Sequence, residues 1–131
     1  RVAFWPEIYQ RATYLRTDFD YPLNYRDLEG DYDIFGDGKL VIIRTIGHTQ
    51  GHQSLIIDLE NSGKFVLTGD SVYLKENLDQ YVLSAILWSP DECVRSVKKL
   101  QELREKEGAF ILLGHDPESW EQIKKAPEFY D

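Results

Sequence analysis

The sequence predicts a mixed α/β domain, and the arrangement of apolar runs along the 131-residue chain carries that prediction. Strand-length apolar runs follow one another in the middle of the chain, a helix with start and stop signals comes next, and a further short apolar run follows the helix. Strands first and βα units later define the mixed class. Leu40-Val41-Ile42-Ile43-Arg44-Thr45-Ile46 reads as a buried strand, and Gln53-Ser54-Leu55-Ile56-Ile57-Asp58-Leu59 as the next. Asn61-Ser62-Gly63 supplies turn residues, so Lys64-Phe65-Val66-Leu67-Thr68-Gly69 forms a hairpin with the preceding strand.

The helix is announced by Ser89-Pro90-Asp91-Glu92: Ser89 caps, Pro90 occupies the first helical position, and Glu92 completes a capping box. Cys93, Val97, Leu100 and Leu103 or Arg104 recur at helical spacing, and Gly108 is a C-terminal stop. Ala109-Phe110-Ile111-Leu112-Leu113 is a short strand, and Asp116-Pro117 opens a last short helix through Trp120 and Ile123. Upstream, Trp5-Pro6-Glu7-Ile8-Tyr9 is compatible with a short helix, and the acidic stretch from Thr17 to Gly38 reads as a solvated loop without the spacing of a calcium loop. The whole chain, residues 1–131, is one unit without repeats or low-complexity segments.

A hydrophobic content of 42% with 13% aromatics argues against disorder. The formal net charge of -8 makes nucleic acid and anionic membrane poor partners. No apolar run reaches the ~20 residues of a membrane span. Cys93 is the single cysteine, so no internal disulfide forms and a cytoplasmic location is expected. The chain opens Arg1-Val2-Ala3 and contains no methionine, from which a piece of a longer polypeptide is expected.

Candidate chemistry gathers at strand ends. His48 lies in Gly47-His48-Thr49-Gln50-Gly51-His52, Asp70 in Thr68-Gly69-Asp70-Ser71, and His115 in Leu113-Gly114-His115-Asp116. Each follows an apolar run and has a neighbouring glycine, which lets the backbone turn sharply and approach a metal. Imidazole and carboxylate are zinc ligands, and a carboxylate can bridge two ions. Singly, each is as consistent with a surface histidine or a turn aspartate; the repeated placement is what points to a metal site.

These motifs together resemble the C-terminal half of metallo-β-lactamase-superfamily hydrolases, whose fold is an αββα sandwich with a mixed sheet and flanking helices. The run Gly69-Asp70-Ser71-Val72-Tyr73-Leu74-Lys75-Glu76-Asn77 resembles more specifically the N-acyl homoserine lactonase branch. The resemblance implies two zinc ions as cofactor, with His48 a ligand of the first, His115 a ligand of the second, and Asp70 bridging both. It implies that Tyr73 orients the substrate and stabilises charge on its oxygen, and that His52 is structural. The implied activity is metal-assisted opening of a lactone ring, hence quorum quenching, with other esters or a glyoxalase-type thioester as rival small-molecule substrates.

Ile46 and Gln50 stand where the family often has proline, which affects loop stiffness more than chemistry. The larger departure is that no histidine precedes His48, so the family's His-x-His-x-Asp-His motif, the source of four further ligands, is absent. The expectation is an incomplete hydrolase, inactive or nearly so alone, binding zinc weakly and self-associating over a sheet stripped of neighbouring strands. The alternative is a non-catalytic pseudo-enzyme or interaction module on the same fold, and beyond that an unrelated α/β domain. Trp5, Tyr14, Phe19, Tyr21, Tyr25 and Trp88 are available to line an acyl pocket, although core positions are the expectation for most of them.

Overall fold

A computed structural model describes residue 17 and residues 20–131 of the chain. The helix expected at Trp5–Tyr9 and the aromatics Trp5, Tyr14 and Phe19 lie outside the described residues. The described part contains β1 (Tyr32–Asp33), β2 (Leu40–Arg44), β3 (Gln53–Leu59), β4 (Gly63–Leu67), a 3-10 turn (Gly69–Ser71), α1 (Lys75–Gln80), α2 (Pro90–Glu107), β5 (Phe110–Leu112) and α3 (Pro117–Gln122). One five-stranded sheet runs in the order β1-β2-β3-β4-β5. Its first three pairings are antiparallel and β4–β5 is parallel. This is the mixed sheet with flanking helices that the sequence predicts.

Direction follows from these pairings. Because β3 opposes both β2 and β4, those two strands run the same way, and β5 joins them. The loops after β2, β4 and β5 therefore leave the sheet at one end. The chain enters β3 at that same end.

Strand parity separates the two faces. In register, Val41 opposes Ile56, Ile56 opposes Val66, and Val66 opposes Ile111. With Ile43, Val97 and Leu100 these residues form one core, and Val66 and Leu100 are fully buried. The opposite face carries Ile42, Leu55, Ile57, Phe65, Leu67 and Phe110, all only half-buried. The Phe65 ring packs there against Phe110 and Tyr130, at 5.6 and 4.7 Å between centroids.

The long helix keeps most of its predicted ends. Pro90 is in the first turn, the Ser89 hydroxyl accepts from the Glu92 amide, and Gly108 adopts φ 65 at the C-cap. The capping box, however, is only half made. The Ser89 amide already donates to the Gly47 carbonyl at 3.0 Å, and the Glu92 carboxylate turns to Arg95. The other boundaries shift modestly: β2 ends at Arg44 and not Ile46, and α3 stops at Gln122.

Two elements were not anticipated. The two-residue β1 sits inside the stretch read as a solvated loop, and Lys75–Gln80 is a six-residue helix whose entry is pinned by Asn77 Oδ1 accepting the Leu74 amide at 2.7 Å. The acidic stretch is correspondingly structural in part. Asp33 accepts the amides of Phe35, Gly36 and Gly38, and Asp31 accepts the Arg44 amide at 2.8 Å and pairs with Lys99. Tyr21, Tyr25 and Trp88 are exposed, which corrects the expectation of core positions for the described members of that aromatic set.

Two predictions follow from this packing. Leu100→Ala removes a side chain with 0% exposure from the core and should lower stability by about 2–5 kcal/mol in urea unfolding. Partial burial opposes ionisation of Asp31, but Lys99 and the Arg44 amide outweigh it and hold its carboxyl below the usual range. A depressed carboxyl stabilises the fold above the unfolded value of about 3.9, and that contribution is lost as pH falls through the folded value. Asp31→Asn should therefore reduce stability at neutral pH and flatten its decline below about pH 4.

Candidate metal centre

Everything of chemical interest stands at the end of the sheet where β2, β4 and β5 finish. Asp70 lies in the 3-10 turn after β4, His48 in the loop after β2, and His115 in the loop after β5. His48 Nε2 is 3.5 Å from Asp70 Oδ2, and His115 Nε2 is 3.0 Å from Asp70 Oδ1. Three residues separated widely in sequence thus meet at one carboxylate, one imidazole on each oxygen.

Two backbone approaches make the meeting tight. A Cβ on Gly114 would stand 2.3 Å from the Gly69 carbonyl oxygen, and the Gly114 and His115 amides donate to the carbonyls of Val72 and Tyr73 at 3.1 and 3.0 Å. On the other side, a Cβ on Gly47 would meet the Cys93 amide nitrogen and Sγ at 2.5 Å. The Gly47 carbonyl accepts the Trp88 and Ser89 amides at 2.7 and 3.0 Å, so the start of α2 clamps the His48 loop. Only glycine fits either contact without moving a backbone.

The tautomer of His48 follows from its neighbours. Its Nδ1 is 3.0 Å from the Ile86 carbonyl, which can only accept, so Nδ1 carries a proton. Tyr73 Oη lies 3.3 Å from the same nitrogen and stacks edge-on against the His115 ring at 4.5 Å. Burial, with the nearby Asp70 charge, raises the Tyr73 phenol above its usual range, so it is a neutral hydrogen-bonding group at pH 7. The His48 side chain is 18% exposed, whereas Asp70 and His115 are 46% and 60% exposed, so the site opens on the His115 side.

Placed this way, the His48 ring turns Nε2, the nitrogen not engaged by the backbone, toward a carboxylate oxygen. An imidazole nitrogen and a carboxylate oxygen so placed are donor atoms of the kind zinc takes. Ligand atoms about 2.0–2.2 Å from a tetrahedral zinc stand about 3.3–3.5 Å from each other. The 3.5 Å His48–Asp70 separation lies in that range, whereas the 3.0 Å His115–Asp70 separation is that of a direct hydrogen bond. The donors therefore fit zinc in kind but are few in number. Among the described residues no group of three or more His, Cys, Asp or Glu side chains could hold a metal ion. With one imidazole per carboxylate oxygen, each ion would find two ligands, fewer than the three or four of a complete zinc site.

His52 takes a different part. Its Nε2 accepts the Asp70 amide at 3.1 Å and its Nδ1 lies 3.0 Å from Thr45 Oγ1. Burial is the main cause that lowers its pKa, with His48 adding to it. Thr45, Ser54 and Thr68 are buried beneath it, and none was singled out in the sequence. The available signal was parity: these hydroxyls continue the faces of Ile43, Ile56 and Val66 at the end of the sheet where the histidines lie. The Ile86 carbonyl that orients His48 had no such signal. A cavity of about 680 Å³ opens on the far side of His52, between Arg26, Arg44 and Gln50, and includes neither His48, Asp70 nor His115.

Comparison with known proteins bears on the fold. No family model matches the sequence. An N-acyl homoserine lactonase AttM of Rhizobium radiobacter is 44% identical over 133 residues, which cover 98% of this chain and 51% of that protein. The N-acyl homoserine lactonase AiiA of Bacillus thuringiensis subsp. kurstaki is 40% identical over 107 residues, 82% of this chain and 42% of that protein. Among solved structures, an N-acyl homoserine lactone hydrolase with N-hexanoyl-L-homoserine bound at its catalytic metal center superposes with a TM-score of 0.83 at 35% identity, covering 99% of this chain and 48% of that one. A probable metal-dependent hydrolase from Staphylococcus aureus shares the fold, with a TM-score of 0.70 at 19% identity over 88% of this chain and 41% of that one.

The fold is that of part of a metallo-β-lactamase-fold protein. Its homologues within that class are N-acyl homoserine lactonases. It spans about half the length of the curated relatives it matches.

The close approach at Gly114 generates a test. Gly114→Ala should push the Gly69 carbonyl aside and separate His115 from Asp70. Nuclear Overhauser contacts between the two loops should weaken while those within the β2–β3 hairpin persist.

Proposed function

We propose that this chain carries one portion of a two-metal centre that opens the lactone ring of N-acyl homoserine lactones, and so removes a quorum signal. The single observation carrying this reading is the convergence of His48 Nε2 and His115 Nε2 on the two carboxylate oxygens of Asp70, at 3.5 and 3.0 Å. The relatives' lactonase names support the substrate class, and the metal center named for one structural neighbour supports metal dependence. Zinc is the proposed metal, on the nitrogen and oxygen donor set. When bound, zinc acts as a Lewis acid and lowers the pKa of water to about 7.

The chain's own residues would divide the remaining work. Asp70, His48 and His115 would be the residues that hold the metal. Tyr73, a neutral phenol beside both imidazoles, would orient the lactone and donate a hydrogen bond to its oxygen. The Ile86 carbonyl fixes the His48 ring through Nδ1, an orienting contact that metal-ligating histidines usually have. With two ligands per ion, the chain by itself would bind zinc weakly and turn over little lactone.

Zinc titration of the purified chain tests this. A weak, saturable heat of binding should appear in calorimetry and should fall about tenfold or more in Asp70→Asn, whose amide cannot bridge two cations. Equal binding by the two proteins would defeat the metal assignment, and robust acyl homoserine lactone hydrolysis by the chain alone would defeat the claim that its ligand set is incomplete.

The half-buried face of Ile42, Leu55, Ile57, Phe65 and Leu67 supports a second element of the proposal. Among the described residues this apolar face is only partly covered, and exposed apolar surface favours association, so the chain is proposed to pair with a second copy or with a complementary polypeptide. A module whose function is that association, without catalysis, is the alternative this face supports. Light scattering at rising concentration should show species larger than a monomer; a clean monomer throughout would remove self-association. The buried Cys93, whose thiol burial pushes up, makes an inert side chain suited to the reducing cytoplasm proposed as its location.

A further inference from the structure

We propose that His52 is a positioning residue for Asp70, held as the neutral Nδ1–H tautomer by a hydrogen-bond chain that begins at the Asp70 amide and ends at the Thr68 carbonyl. The inference rests on the proposed metal centre for what Asp70 does, but the chain of bonds stands without it.

Chemistry sets the direction of every link. A backbone N–H can only donate, so His52 Nε2 accepts from Asp70 at 3.1 Å and the ring proton sits on Nδ1. That proton is directed to Thr45 Oγ1 at 3.0 Å. A carbonyl can only accept, so the Ser54 hydroxyl donates to the Thr68 carbonyl at 3.0 Å. The Thr45 hydroxyl must then donate to Ser54 Oγ, at 2.7 Å. Both ends are backbone groups of one turn, so the chain closes on the segment that presents the Asp70 carboxylate.

Its middle is dry: Thr45 and Thr68 are 0% exposed and Ser54 4%. In such surroundings a mispaired hydroxyl goes uncompensated by water, so the alternative tautomer, which would leave donor facing donor at the Asp70 amide, is disfavoured at both ends. Gly69 completes the fit. A Cβ there would lie 3.2 Å from His52 Nε2, and its φ of +54 is one that side chains rarely adopt. The imidazole therefore lies against bare backbone. Because Nε2 is used in accepting the amide, His52 cannot also be a metal ligand, although its ring centre is only 6.0 Å from that of His48.

Nitrogen-15 NMR of the metal-free, full chain reads the tautomer directly. The expected result is a neutral His52 ring with its proton on Nδ1 and an Asp70 amide protected from exchange; a proton on Nε2 would overturn the proposal whatever the metal does. Two variants then separate positioning from packing. In His52→Gln the side-chain amide reaches the level of Nε2 and can still accept from Asp70, whereas in His52→Asn it reaches only the level of Nδ1 and serves Thr45. Zinc affinity should stay near that of the unchanged chain in the Gln variant and fall about tenfold or more in the Asn variant. Equal losses in both would show that His52 merely packs, and would overturn the positioning role. If the unchanged chain binds no zinc, the metal centre is wrong, and the inference is then decided by the tautomer and by whether the Asp70 amide loses protection in the Asn variant but not in the Gln variant.

Discussion

The turn from Thr68 to Val72 is the part on which the rest of the site depends. It receives the β5 loop through Gly114, whose amide bonds to Val72 and whose missing side chain admits the Gly69 carbonyl. It receives the β2–β3 loop through His52, which takes the Asp70 amide. The Thr68 hydroxyl, buried beneath, lies within hydrogen-bonding distance of the Val72 and Leu112 carbonyls at 3.1 Å each. Asp70 is thereby placed by backbone contacts on several sides before its carboxylate meets either histidine. That order matters because a carboxylate 46% exposed would otherwise sample many rotamers, and an exposed ion pair alone contributes little.

The sheet explains why such a turn can gather residues from three loops. β2, β4 and β5 run in one direction, so their C-terminal ends are neighbours, with the start of β3 among them. Along one face the side chains change character toward that end. Ile43, Ile56 and Val66 supply the apolar core, and Thr45, Ser54 and Thr68 continue the same rows as a buried polar layer. The apolar part provides the burial that stabilises the domain. The polar part makes the upper end specific, since each hydroxyl must find its partner in a place water does not reach. Among the described side chains no buried nitrogen or oxygen lacks one.

Much of this was legible in the sequence. Continuous apolar runs read as strands because both faces of β2 and β3 are at least half-covered, and Ser89-Pro90 and Gly108 read as helix ends because they act locally. His48, Asp70 and His115 could be grouped because each stands just beyond such a run with a glycine nearby. What escaped depended on distant partners. β1 exists because Tyr32 and Asp33 pair with Ile42 and Val41, not because two residues have strand character. The second half of the Ser89 capping box fails because Gly47, far away in sequence, has taken the amide. The Ile86 carbonyl carries no side-chain signature, so its role in fixing the His48 ring appears only once the loop is folded.

Two histidines in one six-residue motif end up with opposite assignments, and the reason is the type of group each nitrogen meets. His48 spends Nδ1 on a carbonyl, an acceptor, so it keeps a proton there and turns Nε2 outward to the Asp70 carboxylate. His52 meets an amide donor at Nε2 and a hydroxyl at Nδ1, so its lone pair is already taken. Both rings sit near Asp70, one against its side chain and one against its backbone. The first leaves Nε2 free of any backbone partner and turned to a carboxylate; the second has both nitrogens engaged by the protein. Proximity to a carboxylate therefore does not make a histidine a ligand here. The identity of the second nitrogen's partner decides it, and that partner is set by the fold and not by the motif.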